Sequence, residues 1–232
     1  QAARPEFSVL DQELTETIRA LGLEGKSAAQ VGCNNARELL SLASLKIIPT
    51  VSIDQSGTFL EQGRVLAKAA GLEPRLIEAD IYDLPDDVGT FDLVLVTIGV
   101  LNWMPDLGGF FRVIAGLLGP GGHLLVYETH PVMEMFDPES DTPHEPAISY
   151  FRTDPLKEEG LISYDGVDHG SGETGYWFIH TLGQIVTSCA TAGMTITSLK
   201  EFGYSIREPE YDVYEGREAQ IPMSYLLHAR KM

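Results

Sequence analysis

Cysteine is scarce in this chain. The two residues, Cys33 and Cys189, are far apart and form no CxxC pair, which argues against a disulfide framework or a structural zinc site. Positive charge is scarce as well: 16 Lys and Arg stand against 34 Asp and Glu, a formal net charge of −18. Such a surface repels a phosphate backbone, and no basic run offsets it, so nucleic acid is not an expected partner. Long apolar runs are missing, because the uncharged stretch near Leu93–Leu101 is far too short to span a bilayer. Arg4, Glu6, Asp11, Glu13, Glu16 and Arg19 crowd the first twenty residues, where a signal peptide would need an apolar core. The expectation is a soluble cytoplasmic protein with no membrane partner. No internal repeat, low-complexity tract or interdomain linker interrupts the chain. What is present, 44% hydrophobic and 22% charged residues over 232 positions, suffices for one α/β domain spanning 1–232 with a full core.

Periodicity alternates between strand and helix. Leu10, Leu14, Ile18 and Leu21 fall at helical spacing before Gly22, giving a helical segment within 1–25 that caps the domain or flanks it. Strands are expected over 27–32, 47–53, 75–79, 91–97 and 123–127, with helices over 36–45, 58–70 and from Asp106 to Leu118. The run Leu93-Val94-Leu95-Val96 has the continuity of a strand buried on both faces. Gly119-Pro120-Gly121-Gly122 breaks the preceding helix. A helix over 182–192 and strands over 194–202 and 221–229 complete the pattern. The fold class is therefore α/β, a doubly wound, mostly parallel sheet. The pattern fails between 131 and 178, where five of the thirteen prolines fall; from 129 to 175 eleven acidic residues face only Arg152 and Lys157. Short strand-like pieces are expected at 148–151 and 161–164. An insertion beyond the carboxyl end of a central strand lies where such sheets bind ligands, so it reads as a substrate-side lid.

The first strand runs into Gly32-Cys33-Asn34-Asn35-Ala36-Arg37. Glycine there lets a ligand approach the backbone, and the following helix offers free N–H groups. A dinucleotide fingerprint would require glycine at 32, 34 and 37, and only Gly32 is present. Asp54 ends the second strand, where a carboxylate can accept ribose hydroxyls, and Asp80 ends the third, placed to receive an adenine amino group. Taken singly each is equally a helix cap or a surface charge; together with Gly32 they point to an adenosine pocket. Cys33 reads as a small packing residue of the turn rather than a nucleophile.

Phe91-Asp92-Leu93-Val94-Leu95-Val96, the helix from Asp106, and Leu118-Gly119-Pro120-Gly121-Gly122-His123-Leu124 together resemble the class I S-adenosylmethionine-dependent methyltransferase family. Val31–Leu42, Gly99–Leu107, Glu128-Thr129-His130-Pro131 and His180-Thr181-Leu182-Gly183 resemble a bacterial branch acting on small molecules. The resemblance implies a Rossmann-like, seven-stranded sheet with its last strand antiparallel. It implies S-adenosylmethionine as cofactor and S-adenosylhomocysteine as product, with Gly32 and Asn34 at the methionine end and Asp54 and Gln55 at the ribose. Asp80 and Ile81 would meet the adenine, and Thr97 and Ile98 would flank the sulfonium. The family turn carries three alternating glycines after an acidic residue, whereas this chain has Gln30, Gly32, Asn34 and Ala36. Thr97-Ile98-Gly99-Val100 differs from the signature of amino-group DNA methyltransferases, and the acidic cluster of the magnesium-dependent catechol type is missing. No metal is expected.

Methyl transfer needs a general base only if the acceptor must lose a proton. His130, directly after the fifth strand, and His180, after Tyr176-Trp177-Phe178, are the candidates, and each is equally readable as a hydrogen-bonded structural histidine. Trp103, Tyr150, Tyr164 and Trp177 are candidates for lining a substrate pocket, though core packing explains aromatics as well. The expected activity is methyl transfer to an oxygen or nitrogen of a small molecule, a secondary metabolite being one class, by a monomer or homodimer. The acidic insertion favours a neutral or cationic acceptor. A same-fold enzyme of another reaction type and a non-catalytic binding subunit are the alternatives, and a nicotinamide oxidoreductase is disfavoured by the missing glycines.

Overall fold

The computed structural model describes residues 7–159 and 174–232, the side chains at 158 and 159 excepted. In chain order the elements are α1 (Gln12–Ala20), β1 (Ser27–Val31), α2 (Arg37–Ser41), β2 (Ile48–Asp54), α3 (Gly57–Ala70), β3 (Arg75–Glu78), β4 (Phe91–Thr97), α4 (Leu107–Leu117) and β5 (Leu118–Thr129). There follow β6 (Leu156–Glu159), β7 (Thr174–Trp177), α5 (Leu182–Thr191), β8 (Met194–Phe202) and β9 (Ser224–Lys231). Seven strands form one sheet in the order β3-β2-β1-β4-β5-β9-β8, and β6 and β7 pair separately. Strands β1 to β5 run parallel, and β9 lies antiparallel between β5 and β8. This is the Rossmann-like, seven-stranded sheet with its last strand reversed that the resemblance implied.

Alternation along the central strands explains the two covering layers. Val94, Val96, Leu124 and Val126 face Phe110, Phe111 and Ile114 of α4 and Ile185 and Cys189 of α5. Leu93, Leu95, Leu125 and Tyr127 face the opposite way, onto Leu14 and Ile18 of α1 and Leu39 and Leu42 beside α2. With both faces covered, the strands read as the continuous apolar runs seen in the sequence.

The apolar stripe of α1 is spent on the sheet. Leu14 and Ile18 are buried, a contribution of about 2 kcal/mol each. Asp11 fixes the helix at both ends of its carboxylate: Oδ1 accepts the Leu14 N–H at 2.9 Å as an N-cap, and Oδ2 accepts the Tyr127 hydroxyl at 2.7 Å.

Four local expectations are corrected. The helix expected over 36–45 is α-helical only from Arg37 to Ser41 and tightens to a 3-10 turn over Leu42–Leu45. The Gly-Pro-Gly-Gly segment ends α4 but belongs to β5, which starts at Leu118 with an irregular register against β4. Strand β9 begins at Ser224 rather than 221, because Pro222 has no N–H to give a ladder. Residues 148–151 form a bend and turn, not a strand, while the piece expected at 161–164 lies outside the described residues.

Two segments lie beyond the carboxyl end of β5: the chain after it and the β8–β9 connection. Met133, Tyr214 and Met223 are buried together, with Phe136, Tyr211 and Ile221 packed around them, in a cluster separate from the two sheet cores. The β8–β9 connection thus packs against the chain after β5.

Candidate functional site

The carboxyl ends of β1, β2 and β3 are adjacent, so the Gly32 turn, Asp54 and Asp80 form one rim. Gly32 (φ +61), Asn34 (φ +49) and Ala36 (φ +57) all adopt left-handed backbone, the alternation that glycines would serve more cheaply. At Gly32 the requirement is double, since a Cβ would come within 2.5 Å of Val100 Cγ2. Gln30, where the family has an acid, is fully buried: its Nε2 donates to Thr97 Oγ1 at 3.1 Å and its Oε1 accepts the Leu39 N–H at 3.0 Å. It ties β1 to β4 and to α2, which gives it a structural reason to differ.

Asp54 Oδ2 accepts the Asn34 N–H at 2.7 Å and Oδ1 the Ser56 N–H at 2.9 Å. Burial raises the Asp54 pKa from the ordinary carboxyl value, while the N–H groups pull it down. Each oxygen retains a second lone pair for a ligand hydroxyl. Gln55 beside it is exposed, as is Asp80, whose Oδ1 accepts the Tyr82 N–H at 2.9 Å; Ile81 is buried. Asn35 Oδ1, in the same turn, is buried without a hydrogen-bond partner, an orphaned acceptor of the kind that calls for explanation. An acceptor-rich rim at three strand ends suits the hydroxyls and amino groups of an adenosine-type ligand.

The loop after β4 is held by a residue that sequence reasoning left in a motif without a role. Glu128 is 2% exposed. Its Oε2 accepts the Gly99 N–H at 2.6 Å, and its Oε1 accepts those of Val100 at 2.8 Å and Leu101 at 3.1 Å. Burial pushes its carboxyl up to about 7, opposed by the three N–H groups and helped by the Glu208 carboxylate. Glu128 also lines a cavity of about 10 Å³ with Leu101, Asn102, Thr129, His180 and Tyr225, room for about one water molecule. The Tyr225 hydroxyl is buried there without a partner.

The two histidines differ. His130 is buried, with Nε2 on Glu201 Oε1 at 3.0 Å and Nδ1 accepting the Val132 N–H at 3.1 Å. Both ring nitrogens of this candidate base are thus engaged by the protein. His180 Nε2 donates to the Met104 carbonyl at 2.8 Å, which leaves Nδ1 unprotonated in the neutral ring. Burial lowers the pKa of both rings, against the pull of Glu201 on His130 and of the Met104 and Leu101 carbonyls on His180.

The aromatic candidates are partly brought together. Trp103 meets Trp177 edge to face at 5.1 Å, and Trp177 Nε1 donates to Glu134 at 2.8 Å. Asn102 and Phe178 exchange two hydrogen bonds, of 3.0 and 2.7 Å, stitching the chain after β7 to the loop after β4. The Tyr150 hydroxyl instead accepts the Leu182 N–H at 2.9 Å, at the start of α5. Tyr164 lies outside the described residues. Thr97 is buried at the end of β4 and Ile98 half-buried beside it. Cys33 is buried and its thiol is pushed up to about 12 by burial and the Asp54 charge, which suits a packing role.

Among the described residues, no group of three or more His, Cys, Asp or Glu is placed to hold a metal ion, and no helix is long and apolar enough to cross a membrane.

Residues 29–126 match the family model described as a methyltransferase domain. A demethylmenaquinone methyltransferase of Thermus thermophilus is 39% identical over 84 residues, 35% of this chain and 36% of that protein. Its counterpart in Mycolicibacterium gilvum is 30% identical over 127 residues, 50% of this chain and 54% of that protein. The matches thus span about a third to a half of the curated relatives' length. The crystal structure of an S-adenosylmethionine-dependent methyltransferase from Clostridium acetobutylicum superposes with a TM-score of 0.65 at 15% identity, covering 96% of this chain and 93% of the other. At that identity it speaks for the fold alone.

Proposed function

We propose that this chain, a member of the class I S-adenosylmethionine-dependent methyltransferase family, transfers a methyl group from S-adenosylmethionine to an oxygen or nitrogen of a small molecule. The observation that carries the reading is the rim at three adjacent strand ends, where Asp54 is locked onto the Asn34 N–H of the Gly32 turn and Asp80 lies one strand further out. Gly32 and Asn34 hold the methionine end, Asp54 with Gln55 the ribose, Asp80 with Ile81 the adenine, and Thr97 and Ile98 lie beside the sulfonium. The cofactor supplies an electrophilic methyl group, so the chain's task is to orient the acceptor and exclude water. Trp103 and Trp177, which meet edge to face, form the wall of the acceptor pocket, with Tyr150 from the same insertion as Trp177. Where the acceptor must lose a proton, His180 takes it, because its Nε2–H is fixed on a carbonyl and burial keeps the ring neutral. His130 positions the chain after β5 through Val132 and Glu201.

Calorimetric titration of the chain with S-adenosylmethionine, S-adenosylhomocysteine and NAD tests this reading. Micromolar binding of the two sulfur nucleotides alone is expected, weakened at least tenfold by Asp54→Ala. Absence of binding by both, or binding of NAD instead, overturns the reading.

A further inference from the structure

The Gly32 turn, the loop after β4 and Glu128 are stacked on one another. Val100 packs its side chain onto Gly32, and its N–H, with those of Gly99 and Leu101, ends on the Glu128 carboxylate. That carboxylate lies one residue's thickness behind the turn that faces the cofactor. Its partners are neutral amides, and no lysine or arginine among the described residues forms an ion pair with it. The ionisable groups around it add no positive charge. Glu208, hydrogen-bonded to Thr129, is acidic; Tyr225 is a buried phenol held well above its ordinary pKa; His180 is shifted toward its neutral form. A buried carboxylate with no counter-ion is costly, and it projects an unscreened negative potential through the low-dielectric layer beside it.

The two ligands of the proposed reaction differ in one respect that this potential reads. The donor carries a sulfonium cation, whereas the product S-adenosylhomocysteine is neutral at sulfur. We infer that Glu128 is a charge-discriminating residue of the cofactor site, favouring the cationic donor over the neutral product and so opposing product retention. Glu128 touches neither ligand. It acts across the loop, and the inference rests on the methyltransferase reading above. Opposite charges separated by one buried side-chain layer favour the cation by on the order of tenfold in affinity.

The test is equilibrium binding at pH 8 to wild type and Glu128→Gln, using S-adenosylmethionine, S-adenosylhomocysteine and sinefungin, which carries an ammonium group in place of the sulfonium. The substitution should weaken both cationic ligands about tenfold while changing S-adenosylhomocysteine less than threefold. Equal losses for all three would make Glu128 a loop anchor only and overturn the inference, as would no loss for any. Should the variant fail to fold, wild type answers alone: the donor-to-product affinity ratio should rise about fivefold from pH 6 to pH 8.5, and a flat ratio refutes the idea. If wild type binds none of the three, the methyltransferase reading falls, and the inference falls with it.

Discussion

The Glu128 carboxyl should leave a signature in the protein's own stability. In the unfolded chain it titrates near the ordinary value of 4.5, and in the fold burial lifts it to about 7. Below 4.5 both states hold the proton. Between 4.5 and 7 the folded state holds one that the unfolded state has released, so this group's contribution to stability falls as pH rises through that window. Lifting the carboxyl by that amount corresponds to about 3 kcal/mol. The loss is complete above pH 8, where the three N–H groups of 99–101 hold the charged form in place without offsetting its burial. Asp54 and Glu208 are also raised, and Asp87 and Asp92 are lowered, so the absolute pH profile mixes signs. The difference between wild type and Glu128→Gln cancels those contributions. Urea unfolding from pH 4.5 to 8.5 should show wild type losing about 3 kcal/mol relative to the variant. The variant itself should be offset at every pH by the clash of its amide with the Gly99 N–H. Parallel profiles for the two proteins would refute the placement of an ionisable, buried Glu128.

Three further outcomes follow from the packing. Gly32→Ala should destabilise by about 2 kcal/mol, through the left-handed backbone and the 2.5 Å approach to Val100 Cγ2; urea unfolding should find a smaller loss when Val100→Ala accompanies it, and strict additivity would contradict the contact. Tyr127→Phe removes the bond to Asp11 and should cost about 1 kcal/mol, with amide exchange accelerated in α1 more than in α4; equal acceleration would show that the hydroxyl does not anchor α1. Burial pushes the Cys33 and Cys189 thiols to about 12, so a thiol-reactive disulfide reagent at pH 8 should label neither in the native protein and both in urea. Rapid native labelling of Cys33 would mean that the glycine turn opens.

Local patterning made the sheet legible in the sequence and left much of the site hidden. Phe91–Thr97 and Met194–Phe202 were bounded correctly because a strand covered on both faces, or one ending at clear breakers, writes its limits into neighbouring residues. The segments beyond the carboxyl end of β5 have no such period. Their small core joins Met133 to Tyr214 and Met223, a pairing that no window of neighbours contains. Glu128 looked like part of a motif because one acid at the tail of an apolar strand is indistinguishable from a surface charge. Its meaning depends on three amides 27 to 29 residues upstream. His130 was placed correctly at the end of β5, but the Glu201 that occupies its ring lies 71 residues away. Gln30 was noted only as a departure, and its two buried hydrogen bonds show why a neutral amide, donor and acceptor at once, suits that position.

The reversed strand β9 has a consequence for how the chain is made. It sits between β5 and β8, and its cross-strand partners on β5 are separated from it by about a hundred residues, 105 for the His123–His228 contact. During synthesis from the N-terminus, β1 to β5 are available long before β9. Until then, the edge of β5 carrying Leu124, Leu125 and Val126 has open hydrogen-bonding groups and no neighbour. An exposed apolar edge is a template for association with other chains. Pairing of such long sequence separation is also slow to form. Nascent or heat-stressed molecules are therefore most vulnerable at the β5 edge, and the final strand acts as the latch that ends that exposure.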